Sequence, residues 1–287
     1  MKRSIILTII ILTGLFNLAF AKAENTTEMA TKRKPINYTI ILDLSDRVLN
    51  KNQLSYDIAQ IELVFKKFKK KAKQNLIITS KDRFVLKIIP QKGSTLDIDY
   101  YENILQLRLD QLSIRDKNQR LEQLDSILTS TLEKLKTEAV LGKKHTDYAG
   151  VDLWAFLNDN KGNLTSKGYE NTIIIMTDGY LDFENNSHVI KQKNQFTGTK
   201  FLKNLNDNNW KLDAKNKDIG ILPISLDFKA TWIVTGIKSK QTSDLFQISK
   251  IKYFWNKWIK ESANTHPYFI NYNTKNQILS ELNSILN

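Results

Sequence analysis

Three short stretches of the chain combine acidic and hydroxyl side chains: "DLSDR" (residues 43–47), "HTDYAG" (145–150) and "MTDGYLD" (176–182). Asp43, Ser45, Thr146 and Asp178 together supply two carboxylates and two hydroxyls. An all-oxygen set of this kind suits a hard cation such as Mg²⁺, with Mn²⁺ as a substitute and water completing the octahedron. The chain has no Cys and 3 His, so a thiolate or imidazole metal site has little to draw on. Singly, Asp and Ser favour helix caps and strand exits for backbone reasons. Joint placement is what points to a site, and that depends on the elements that carry the three stretches.

Residues 38–42 are apolar and mostly β-branched, as in a strand buried on both faces. From Asn52 the spacing of Leu54, Ile58, Ile61, Phe65 and Phe68 becomes that of one helix face. "RFVLKIIP" (83–90) reads as a second strand, and the alternation in "LQLRLDQL" (105–112) as a half-exposed antiparallel edge strand. Residues 116–140 return to helical spacing, "VDLWAFL" (151–157) makes a short helix, and "NTIIIM" (171–176) is another buried strand. Residues 181–218 are polar and weakly patterned, with a short helix near Phe201. "IGILPISL" (219–226) reads as a further strand, 243–262 as a helix, and "YFINYN" (268–273) as a last strand. Thr274 then caps a C-terminal helix. Strands alternating with helices imply an α/β, doubly wound, mostly parallel Rossmann-like sheet with one antiparallel edge strand and helices on both faces. Ligands bind such sheets beyond the carboxyl ends of the strands. "DLSDR" and "TDGYLD" both leave buried strands at that end.

The order of elements and the three loops resemble the von Willebrand factor A (VWA) family and its metal-ion-dependent adhesion site. That family's pattern is Asp-x-Ser-x-Ser after the first strand, a Thr in a second loop and an Asp after the fourth strand. Asp43 and Ser45, Thr146, and Asp178 match these in turn. The resemblance covers residues 36–287. It implies that Ser45 and Thr146 touch the metal directly and that Asp43 and Asp178 act through water. It also implies that one position stays open for a carboxylate of a protein partner, with Asp46 and Asp147 supporting the ligands. The second Ser of the pattern is Arg47 here, so the site is degenerate. A guanidinium offers no lone pair and a fixed positive charge. Turned inward, it would pair with Asp43 or Asp178 and replace the ion; turned outward, it would leave a four-ligand site or contact the ligand.

Residues 1–21 combine a basic start, an apolar run and a small-residue cleavage pattern, as a secretory signal peptide does. Residues 22–35 read as a polar linker. The mature protein is therefore expected in the periplasm or outside the cell, without a stable membrane span. The formal charge is +13, and without residues 1–21, which hold Lys2, Arg3 and no acid, it is +11. Such an excess favours acidic partners. "KKFKKKAK" (66–73) lacks interleaved aromatics for stacking bases, which argues against nucleic acid. The first reading is thus a non-enzymatic module for protein–protein interaction. Two alternatives remain: a haloacid-dehalogenase-like Mg²⁺-dependent phosphatase, for which Ser45 stands where a general acid is needed, and a basic anion- or nucleic-acid-binding protein.

Overall fold

The structure is a computed structural model that describes residues 33–50, 52–74, 76–184, 187–205, 208–240 and 244–287. The expected signal segment, 1–21, and nearly all of the expected linker, 22–35, lie outside the described residues. Pro35–Asn287 form one compact unit.

In chain order the elements are β1 (Ile36–Asp43), α1 (Gln53–Gln74), β2 (Arg83–Ile89), α2 (Ile98–Ile104), β3 (Leu107–Arg108), α3 (Ile114–Glu138), α4 (Leu153–Asn160) and β4 (Glu170–Met176). The short strands β5 (Lys191–Gln192) and β6 (Gln195–Phe196), α5 (Trp210–Asn216) and β7 (Gly220–Ile221) come next. The chain ends with β8 (Thr231–Ile237), α6 (Gln247–Ala263), β9 (Tyr268–Asn271) and α7 (Lys275–Ile285). The main sheet has the order β3-β2-β1-β4-β8-β9, and only the edge pair β2–β3 is antiparallel.

Every residue of β1 is buried, because helices cover both faces of the sheet. Ile36, Tyr38, Ile40 and Leu42 pack with Leu54, Ile58, Ile61 and Phe65 of α1 and with the leucines of α3, while Ile41 faces Leu157 and Trp255 on the other side. The period of two in β1 is therefore hidden under a continuous apolar run. Trp255 and Trp258 of α6 are core residues. Thr274 caps α7, its hydroxyl accepting the Gln277 N–H.

Two strands differ from the sequence reading. Of residues 219–226 only Gly220–Ile221 pair, and they do so in a separate sheet of order β5-β6-β7. Pro223 has no N–H to give a ladder and stops the run. The strand beside β4 is instead "TWIVTGI", β8. The edge strand keeps only Leu107–Arg108 of the expected 105–112, because Leu109–Gln111 coil into a 3₁₀ turn.

Candidate functional site

The chain leaves β1 toward β2 on one side, and β4 lies on the other, so strand order reverses between β1 and β4. A crevice opens at the carboxyl ends of such a pair. Asp43 is the last residue of β1 and is 1% exposed. Its Oδ1 accepts the Ser45 N–H at 2.8 Å, and its Oδ2 accepts the Thr177 hydroxyl, also at 2.8 Å. The carboxylate is thereby held at both oxygens, from its own loop and from the exit of β4. Ser45 starts the 3₁₀ turn Asp46–Leu49 but its side chain makes no capping bond, so its hydroxyl is not committed to the turn. Asp178 is buried, with Oδ1 accepting the Tyr180 N–H at 3.1 Å.

Arg47 turns inward and is 1% exposed. Its Nη1 donates to the carbonyl oxygens of Asp43 (3.0 Å) and Met176 (2.8 Å), the last residues of β1 and β4. Its Nη2 donates to Oδ1 of Asp57 on α1 at 3.2 Å. Nη1 also lies 2.9 Å from Asp57 Oδ2, yet both Nη1 protons are directed at carbonyls, so this contact is ionic and Oδ2 accepts no aligned hydrogen bond. The ion pair of the inward guanidinium is thus with Asp57. Burial opposes the charge on Arg47, but Asp57, Asp43 and Asp178 hold its pKa above the ordinary value. Burial pushes the Asp57 carboxyl up to about 6 against the pull of Arg47.

Gly236 makes room for this pair. It has φ +92° at an irregularity of the β8–β9 ladder, and a Cβ there would lie 3.0 Å from Arg47 Nη2 and 3.1 Å from the Thr177 carbonyl oxygen.

A second cation sits at the mouth. Lys240 Nζ is 3.1 Å from Asp178 Oδ2 and 3.2 Å from Asp46 Oδ1. The ammonium lies 5.0 Å from the centre of the Tyr180 ring, and the Lys240 backbone N–H donates to the Tyr180 hydroxyl at 3.0 Å. Burial works against the charge of Lys240, but Asp178 and Asp46 overcome it and raise the pKa. Asp46 is held below the usual carboxylate range, where Lys240 and His145 outweigh burial. At Asp178 burial, with Asp43 adding to it, outweighs Lys240 and raises the pKa.

The structure therefore brings together Asp43, Ser45, Asp46, Arg47 and Asp178. His145 Nδ1 reaches Asp46 Oδ2 at 2.9 Å and draws the "HTD" turn alongside. Gly150 helps seat that loop, with φ +79° and a would-be Cβ 2.0 Å from the Asp182 carbonyl oxygen. Thr146 itself is exposed and its hydroxyl lies outside the network. The Asp147 carboxylate accepts the Lys144 N–H at 3.0 Å and closes its own turn. Asp182, which ends the third stretch, is half-buried and accepts the Thr199 hydroxyl at 2.9 Å.

Sequence reading missed Asp57, Thr177 and Lys240. Asp57 carried a usable signal, an acid on the buried stripe of Leu54, Ile58 and Ile61 ten residues after an unexpected arginine. Lys240 was out of reach once residues 219–226 had been taken for the strand that β8 provides.

These residues do not fit a divalent ion as arranged. Asp178 Oδ2 and Asp46 Oδ1 face an ammonium, and Asp43 is hydrogen-bonded at both oxygens. Among the described residues no group of three or more His, Cys, Asp or Glu is placed to hold a metal. A cleft of about 670 Å³ is lined by Ser166, Tyr169, Asp227 and Phe228 near the amino ends of β4 and β8, far from this chemistry. In the lysine-rich end of α1, Lys69 and Lys73 pair with Glu122 and Asp125 of α3. No helix among the described residues is long and apolar enough to cross a membrane.

No family model and no curated protein matches the sequence. Among solved structures, the pilus adhesin SpaC from Lactobacillus rhamnosus GG, in an open conformation, aligns with 89% of this chain at 10% identity and a TM-score of 0.46. Proximal thread matrix protein 1 from the mussel byssus aligns with 88% at 11% identity and a TM-score of 0.34. This chain spans 30% of the adhesin chain and 47% of the matrix protein chain.

Proposed function

We propose that the chain is an exported VWA-like binding module that mediates protein–protein interaction through the carboxyl ends of β1, β4 and β8. The observation that carries this reading is the meeting of Asp43 and Asp178 at the reversal of strand order. There the fold fixes both carboxylates and leaves the Ser45 hydroxyl uncommitted. The partner presents an acidic side chain to the cation at the mouth, and the basic excess of the chain speeds encounter. Leu245 is 91% exposed two residues before α6, the helix whose Trp255 donates to the Gly179 carbonyl oxygen at the exit of β4. It offers the apolar anchor that charged rims surround in such interfaces. The leader pattern in residues 1–21 supports export.

A phosphatase reading has less support. Ser45 cannot act as the general acid, and both oxygens of the would-be nucleophile Asp43 are already hydrogen-bonded.

The test is crosslinking capture from an extracellular or envelope extract with wild type and Ser45→Ala/Leu245→Ser. Partners retained by wild type and lost by the variant support the module. A captured set that is the same for both sinks it. Hydrolysis of a generic phosphoester abolished by Asp43→Asn would turn the reading to the enzyme.

A further inference from the structure

We propose that Lys240 is the resident cation of this site, its ammonium standing where the three-loop pattern calls for a divalent ion, so that the site works without metal. The inference rests on the binding-module reading and specifies how its site is charged.

Four carboxylates converge here: Asp43, Asp46, Asp57 and Asp178. Arg47 pairs with Asp57, and its charge also acts on Asp43 and Asp178. Asp46 and Asp178 take their ion pair from Lys240, three residues beyond β8, and Lys240 is tethered rather than free. Its backbone N–H is bound by the Tyr180 hydroxyl, its ammonium lies by the ring of the same Tyr180, and Nζ bridges Asp46 and Asp178. Those two acids come from the exits of β1 and β4, so one ammonium ties together the loops that the family pattern joins through an ion. Mg²⁺ needs near-octahedral oxygen ligands at about 2.0–2.1 Å and gives up its water reluctantly. It would have to displace an ammonium already 3.1 Å from Asp178, one of the four expected ligands, and 3.2 Å from Asp46 beside them. The lysine side chain is 40% exposed, and an ammonium has three N–H donors, so one can still face a partner's carboxylate.

The experiment titrates MgCl₂ into the full chain by calorimetry and follows thermal unfolding with and without Mg²⁺. Wild type, Lys240→Met and Lys240→Met/Asp178→Asn are compared. Wild type should give no saturable heat at millimolar Mg²⁺. Lys240→Met should melt about 2–4 °C lower and recover with Mg²⁺, and the double variant should not respond to the ion. Saturable Mg²⁺ binding by wild type overturns the proposal. So does a Lys240→Met variant that melts like wild type, or one that is weakened and not rescued. Lys240→Gln replaces Lys240→Met if the latter does not fold, and the wild-type titration decides without either. No partner enters these measurements, so their failure is distinct from failure of the capture test.

Discussion

Arg47 and Lys240 belong to the same cluster of carboxylates, and the fold treats them in opposite ways. Arg47 is sealed, with one carboxylate and two strand-end carbonyls taking three of its N–H donors. Lys240 reaches the cluster from a loop, bridges two acids and keeps much of its side chain in solvent. The planar fork of Arg serves several fixed acceptors at once, whereas Lys is a point charge on a flexible stem. The comparison separates a cation that holds strand ends together from one that sets the charge a ligand meets.

The strongest way to break this contrast is at Arg47. Arg47→Ala leaves Asp57 buried without its partner and should cost about 3–5 kcal/mol, read by denaturant unfolding. Arg47→Met/Asp57→Leu, which removes both charges, should recover most of it. An Arg47→Ala variant as stable as wild type would mean the pair is not an anchor.

The next effect is pH. The Asp57 carboxyl is raised to about 6, while an unfolded Asp titrates near 3.9, so between these values the native state holds a proton that the unfolded state has lost. Stability from Asp57 is therefore full below about pH 4 and falls as pH rises through 6, by up to about 3 kcal/mol. Wild type should gain on Asp57→Asn as pH is lowered from 7 to 4.5. A difference that does not change with pH would refute the raised value.

Gly236→Ala should cost about 1–3 kcal/mol, since it combines an unfavourable φ with contacts to Arg47 and the Thr177 carbonyl. A loss no larger than that at an exposed loop glycine would show that Arg47 has room to move. Lys240→Met sharpens the other side of the contrast. Its cost should be about 1 kcal/mol or less and should shrink as salt is added, because the ammonium is partly exposed. A large, salt-independent loss would place Lys240 with Arg47 as a structural cation.

Much of the architecture was legible because β1 and β4 are continuous apolar runs and α1 carries an undisturbed helical period. The one core strand misplaced was β8. Its run is interrupted by Gly236 one residue before its end and follows a more conspicuous apolar segment that Pro223 prevents from pairing in the main sheet. Within the site, Asp43, Ser45 and Asp178 could be read from their position just after apolar runs. Thr146 could not be placed from its loop pattern, because His145 is the residue that links its turn to the site.

Local pattern by itself determined that two acidic turns leave buried strands at the same end of a parallel sheet, since an apolar run and its polar exit are properties of neighbouring residues. Only the tertiary structure decided the direction of Arg47, its pairing with Asp57 and the arrival of Lys240 between Asp46 and Asp178. An ion pair between residues 240 and 46 exists only once β8 is docked beside β4. Nothing in either local sequence encodes that distance.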